Sequence, residues 1–127
     1  MGQYFKAVNL KKREYICPWC LFGVAKLWEW SANPWGAIFP LLLRKSTEGG
    51  GGDYHGPTYE HDKTAIAGRW AGDPVVLVGD YDASKLLDKL DRYRNISREV
   101  VKAWNPFIER DDMKLKFNPR CSCNKHP

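Results

Sequence analysis

The chain has 127 residues, 43% hydrophobic and 13% aromatic, which excludes a disordered chain and suits one globular domain, 1–127, with a core of its own. Its net charge of +5 is uneven: residues 1–45 carry seven Lys/Arg against two acids, 46–82 two against seven, and 83–127 eleven against six. Basic ends around an acidic middle fit a polyanion on one face as well as an ordinary solvated surface, so charge alone excludes neither.

Residues 3–16 read as a β-hairpin. Tyr4, Lys6 and Val8 alternate with Phe5 and Ala7, Asn9-Leu10-Lys11-Lys12 turn the chain, and Arg13 to Ile16 return. The element Cys17-Pro18-Trp19-Cys20 follows, then a helix over about 21–31 with Leu21, Val24, Ala25 and Trp28 on one face. Asn33-Pro34 stops it, and 35–43 reads as a second short, buried helix. Residues 46–63 hold four consecutive glycines, Gly49 to Gly52, and no periodicity; they read as a mobile Gly-rich loop. A short helical stretch is expected over 64–70, then a turn at Ala71-Gly72-Asp73-Pro74 and a buried strand at Val75-Val76-Leu77-Val78. Asp82 would cap a helix over 83–94 with Leu86, Leu87, Leu90 and Tyr93 inward. Ser97 would cap another, carrying Val100, Val101 and Trp104 and ending near Pro106. Met113 to Phe117 alternates with lysines and reads as a last strand at a sheet edge.

The expected fold is α+β. A small antiparallel sheet, made of the N-terminal hairpin, the central strand and the C-terminal edge strand, is covered on one face by three to four helices. Trp28, Trp30, Trp35 and Trp104 read as core. No run of apolar residues approaches the about 20 needed to cross a membrane. The opening MGQYFKAVNL has neither a continuous apolar stretch nor a small-residue cleavage site. A cytoplasmic chain without membrane contact is expected.

Four cysteines stand in two close pairs about a hundred residues apart: Cys17 and Cys20, then Cys121 and Cys123, with His126 three residues on. In a reducing compartment such pairs are more often metal ligands or redox centres than disulfides. Zinc takes four tetrahedral ligands, and a CxxC turn presents two thiolates at the right separation. Cys121 and Cys123 would complete the set, with His126 as a substitute ligand, although the CxC spacing is tighter than the usual partner. The rival is redox chemistry: CPWC resembles the CPYC active site of glutaredoxins, with Cys17 as nucleophile and Cys20 as resolving thiol. A helix starting there would lower the Cys17 pKa. Free thiols are the third option. His55, Glu60, His61 and Asp62 form a second polar cluster, but on a glycine-rich loop that makes a poor rigid scaffold.

The opening MGQYFKAVNLKKREYI resembles the MGxYY…VNLDKKEY start of an uncharacterised family of small bacterial and phage proteins. GRWAGDPVVLVGDYD resembles that family's WxGDRVVxxGDY core. The chain departs at Lys11, where the pattern has Asp, and at Pro74, where it tends to have Arg. The resemblance implies no activity, and it implies that the cysteines belong to one branch rather than to the family's shared function. Three functions follow as expectations: a non-catalytic binding module with a structural zinc and a protein partner; a glutaredoxin-like thiol oxidoreductase; and nucleic-acid binding through the basic termini.

Overall fold

The N-terminal hairpin organises the whole of the computed structural model, which describes residues 2–124. Strand β1 (Phe5–Asn9) turns back into β2 (Glu14–Ile16), pairing Ala7 with Ile16, Val8 with Tyr15 and Asn9 with Glu14. Asn9 makes the turn: its wholly buried side-chain oxygen accepts from the amides of Lys11 and Lys12 at 2.9 and 2.8 Å. On the other side of β1 lies β3 (Val75–Gly79), antiparallel from Phe5↔Gly79 to Asn9↔Val75. The outer neighbour of β2 is β4 (Arg94–Asn95), which runs parallel to it, so the sheet is mixed with order β3-β1-β2-β4.

Side chains alternate across a strand, so Ala7 and Ile16 point one way while Val8 and Tyr15 point the other. Both faces are covered. On the first face sit α1 (Leu27–Ala32), α2 (Pro34–Ala37), α3 (Phe39–Leu43) and α4 (Ser97–Phe107). They deliver Trp30, Leu41, Leu42, Val100 and Trp104 to the main core, which also takes in Ile66 and the fully buried Trp70. The second face carries Val8, Tyr15 and Val78 together with Leu90 and the buried cysteines. The α-helices cover the first face as expected, but the Leu86–Arg92 segment, expected with them, covers the second.

The α+β class holds, and the local departures have identifiable causes. No strand forms at 113–117. The Asn105 side chain takes both backbone groups of Leu115 at 2.8 Å, and Trp104 Nε1 donates to the Met113 carbonyl at 2.8 Å. With those groups committed to α4, the edge position falls to Arg94–Asn95. No helix forms at 64–70, because Gly68 adopts φ +75° and the amides of Gly68 and Trp70 bond the carbonyls of Leu41 and Leu42. The expected helix at 83–94 is a 3-10 helix over Leu86–Arg92, entered through Lys85 at φ 57°. Asp82 closes a tight turn onto Ser84 instead of capping it. One helix was expected over 35–43, but Pro40 has no amide to donate and sits in the first turn of a new helix, α3. The segment 46–63 forms no strand or helix, yet it is anchored. Asp53 pairs with Arg44, the Tyr54 ring packs on Phe107, and Thr58 bridges to Ala67.

The stretches 2–16 and 68–82 meet in this fold. Glu14, 3% exposed, accepts from Arg69 Nε at 3.0 Å and from Trp70 Nε1 at 2.9 Å. Asp73 accepts from Asn9 Nδ2 at 2.9 Å and pairs with Lys12. These residues therefore lock the hairpin to the segment that leads into β3. No helix of the described residues is long and apolar enough to cross a membrane.

Candidate metal centre

The two cysteine pairs, from near opposite ends of the chain, converge on the second face of the sheet. The sulfur atoms of Cys17, Cys20, Cys121 and Cys123 all lie within 4.8 Å of one another, the one such group found among the described residues. His126, the substitute ligand, lies outside the described residues.

The first pair is positioned by the end of β2. Cys17 directly follows Ile16, and its amide donates to Ser97 Oγ at 3.0 Å. Pro18 holds helical dihedrals (φ −66°, ψ −32°), for which its ring is already set. A single 3-10 turn, Trp19–Leu21, then brings Cys20 back under Cys17, with the Cys20 amide on the Cys17 carbonyl at 3.2 Å. The turn stops at Phe22, which is left-handed at φ 55°, while the amide of Gly23 bonds the Pro18 carbonyl at 2.8 Å. The helix expected from residue 21 thus begins only at Leu27. That shift turns Trp30 inward, where its Nε1 donates to the Phe5 carbonyl at 3.1 Å, and leaves Trp28 65% exposed rather than in the core.

Asn118 brings in the second pair. Its amide donates to the Cys20 carbonyl at 2.6 Å and its side-chain nitrogen to the Trp19 carbonyl at 3.4 Å. Its own carbonyl accepts from the Cys121 amide at 3.3 Å, and its side-chain oxygen from the Arg120 amide at 3.0 Å. One residue thereby ties both cysteine turns together. Cys123 stands on a last 3-10 turn, Ser122–Asn124.

Two nitrogen donors reach the sulfurs from the sheet: Lys6 Nζ to Cys123 at 3.3 Å and Asn95 Nδ2 to Cys20 at 3.4 Å. Asn95 is itself oriented by Ser97, whose hydroxyl donates to its side-chain oxygen at 2.6 Å. Such N–H···S contacts orient and stabilise ligating thiolates. Cys123 is held well below the usual thiol range because the thiols of Cys17 and Cys20 donate to it and the Lys6 ammonium lies beside it. Cys17 is pushed far above that range by donating to Cys123, by its contact with Cys20 and by burial. Cys20 is pushed up to about 11, first by its bond to Cys123. Burial pulls the Lys6 pKa down, but attraction to the cysteine cluster and the bond to Cys123 outweigh it and leave it raised.

The donor set fits a tetrahedral soft cation. With Zn–S near 2.3 Å, neighbouring sulfurs of a tetrahedron stand about 3.8 Å apart; Cys17 and Cys121 stand 3.8 Å apart, unbonded. A bound dication would take the place of the thiol protons that now let four sulfurs share one pocket. The same geometry is poor for a Cys17 nucleophile. Cys17 is wholly buried, its pKa is driven up rather than down, and only a single 3-10 turn follows it rather than an α-helix. Pro74, the residue that could imitate the proline facing such a site, lies at the hairpin-turn end of the sheet, where its carbonyl accepts from Leu10. Three of the four residues of the second polar cluster are committed elsewhere: Glu60 to Lys45, His61 to the Thr47 carbonyl, Asp62 to Thr64.

Sequence reasoning found all four sulfurs but missed Lys6, Asn95 and Asn118. Alternation along β1 does put Lys6 on the face of Val8, yet nothing in the pattern said that this face held sulfur. Scans against family models and comparisons with curated proteins and with solved structures return no match for the chain.

Proposed function

We propose that the chain is a non-catalytic binding module in which a structural zinc, held by Cys17, Cys20, Cys121 and Cys123, joins the N- and C-terminal regions. The observation that carries this reading is the gathering of four sulfurs from both ends of the chain within 4.8 Å. Their burial and the N–H donors from Lys6 and Asn95 support a fixed ligand set rather than a reactive pair.

A protein partner suits the surface beside the cysteines. Phe22, Val24, Leu27 and Trp28 are each between 44% and 65% exposed within seven residues of chain. Exposed apolar side chains so concentrated mark interaction surfaces more often than solvated ones. Phe22 also holds a left-handed backbone that bulky residues rarely adopt, at a cost of about 1–3 kcal/mol. Kinship with the small bacterial and phage family, a cytoplasmic setting and a host-protein partner belong to the same proposal.

Metal analysis of the purified chain tests it. One zinc per chain, with occupancy lowered by Cys121→Ser, is the expected result. Metal-free protein that reduces mixed disulfides through Cys17 would replace this reading with the thiol oxidoreductase.

A further inference from the structure

The four sulfurs are not equally protected. Cys17 and Cys20 are wholly buried and Cys121 is 8% exposed, whereas Cys123 is only half-buried. Cys123 also lines a cavity of about 490 Å³ between the sheet, the 86–95 segment and the start of α4. That cavity is polar, and Lys6, Tyr15, Asn95, Arg98 and Ser122 share its wall with Cys123. We propose that Cys123 is an oxidation site through which a peroxide empties the zinc centre. The inference rests on the zinc reading above and adds a means of regulating that site.

The chemistry follows from what surrounds the sulfur. Oxidation of cysteine selects for access to the oxidant, and of the four cysteines Cys123 is the least buried and alone lines the cavity. Lys6 Nζ stands 3.3 Å from its sulfur, and the Arg98 guanidinium lies over the Phe117 ring at 4.7 Å, which holds it at the cavity wall. A small uncharged peroxide fits such a space and finds hydrogen-bond donors there. The Cys123 sulfur attacks one peroxide oxygen, the O–O bond breaks, and the other oxygen leaves as hydroxide beside the Lys6 ammonium. Cys123 is now a sulfenic acid. Cys17, whose sulfur lies within 4.8 Å of it, then attacks the Cys123 sulfur; the S–S bond forms and a second hydroxide leaves. Two thiolates have given two electrons to one peroxide. Only Cys20 and Cys121 would then remain to hold a zinc, too few to retain it, and a thiol reductant with fresh zinc would restore the site.

The zinc-loaded full chain is treated with hydrogen peroxide in the presence of dimedone, a sulfenic-acid trap. Adducts are mapped by mass spectrometry, and released zinc is read with a chromogenic chelator. The first adduct is expected on Cys123. Without dimedone, a Cys17–Cys123 disulfide forms in step with zinc loss. Cys123→His keeps a zinc ligand but no oxidisable sulfur, and is expected to retain its metal at the same dose. A first adduct on Cys17, Cys20 or Cys121, or equal zinc loss from Cys123→His, overturns the proposal and leaves the zinc reading standing. A chain that takes up no zinc overturns both. If the variant does not load, the adduct map of the unaltered chain decides alone.

Discussion

On the zinc reading proposed above, stripping the metal from the folded chain should loosen one face of the sheet and spare the other. On the second face Val8, Tyr15 and Val78 come from the strands, and the segments laid over them add one buried side chain, Leu90, and the partly buried Leu86, Leu87, Tyr93 and Phe117. At about 1.5–3 kcal/mol for a fully buried large side chain, and less for a half-buried one, these covering segments contribute roughly 5–8 kcal/mol. A structural zinc held as proposed would contribute about 10–16 kcal/mol, at least as much as the covering segments. Losing even about 4 kcal/mol of it speeds amide exchange about a thousandfold. The amides that report this belong to Tyr93, Arg94, Asn118 and Cys121, whose bonds run to Leu90, Arg13, Cys20 and Asn118. The amides of Val100 and Ile108, in the helix packed on the main core, should keep their protection. Hydrogen exchange read by mass spectrometry, with and without a zinc chelator, makes the comparison. Equal loss of protection in Val100 and Ile108, or none in the first group, would refute the two-face reasoning.

Three other outcomes are expected. Glu14→Ala leaves the Arg69 guanidinium and the Trp70 indole without their buried acceptor and should cost about 3–5 kcal/mol in urea denaturation of the metal-loaded chain; a loss under about 1 kcal/mol would show that water replaces the carboxylate. Asn95→Leu removes a donor to Cys20 and should weaken zinc binding about 10–100-fold in chelator competition without unloading the site at saturating metal. Zinc affinity should rise with pH, because Cys17 and Cys20 are protonated at neutral pH without metal, Cys20 up to about 11, and each must release a proton to bind. Competition titrations between about pH 6 and 8 should give a slope near or above about two decades per unit, and a flat profile would contradict the thiol assignment.

Most of the frame was legible where one local rule decides. Asn9 and the alternation around it give the hairpin, the β-branched run at 75–78 gives β3, and Val100 and Trp104 at helical spacing give α4. What failed was decided by distant partners. The alternation at 113–117 is real, but Asn105 captures Leu115 before any strand can. The amides of Gly68 and Trp70 go to α3 instead of a local helix. Glu14 and Arg69 are 55 residues apart, and neither carries any mark of a buried ion pair. At the cysteine site the four sulfurs that come together were visible because paired cysteines are rare and their spacing is chemical. Lys6, Asn95 and Asn118 are single polar residues with no pattern, and only the folded chain shows what they hold.

X-ray absorption at the zinc edge, on the full chain after metal analysis, reaches the core of the account. It should show one zinc per chain surrounded by four sulfurs at about 2.3 Å. A first shell dominated by nitrogen or oxygen, or a correctly folded chain that binds no zinc, would contradict it.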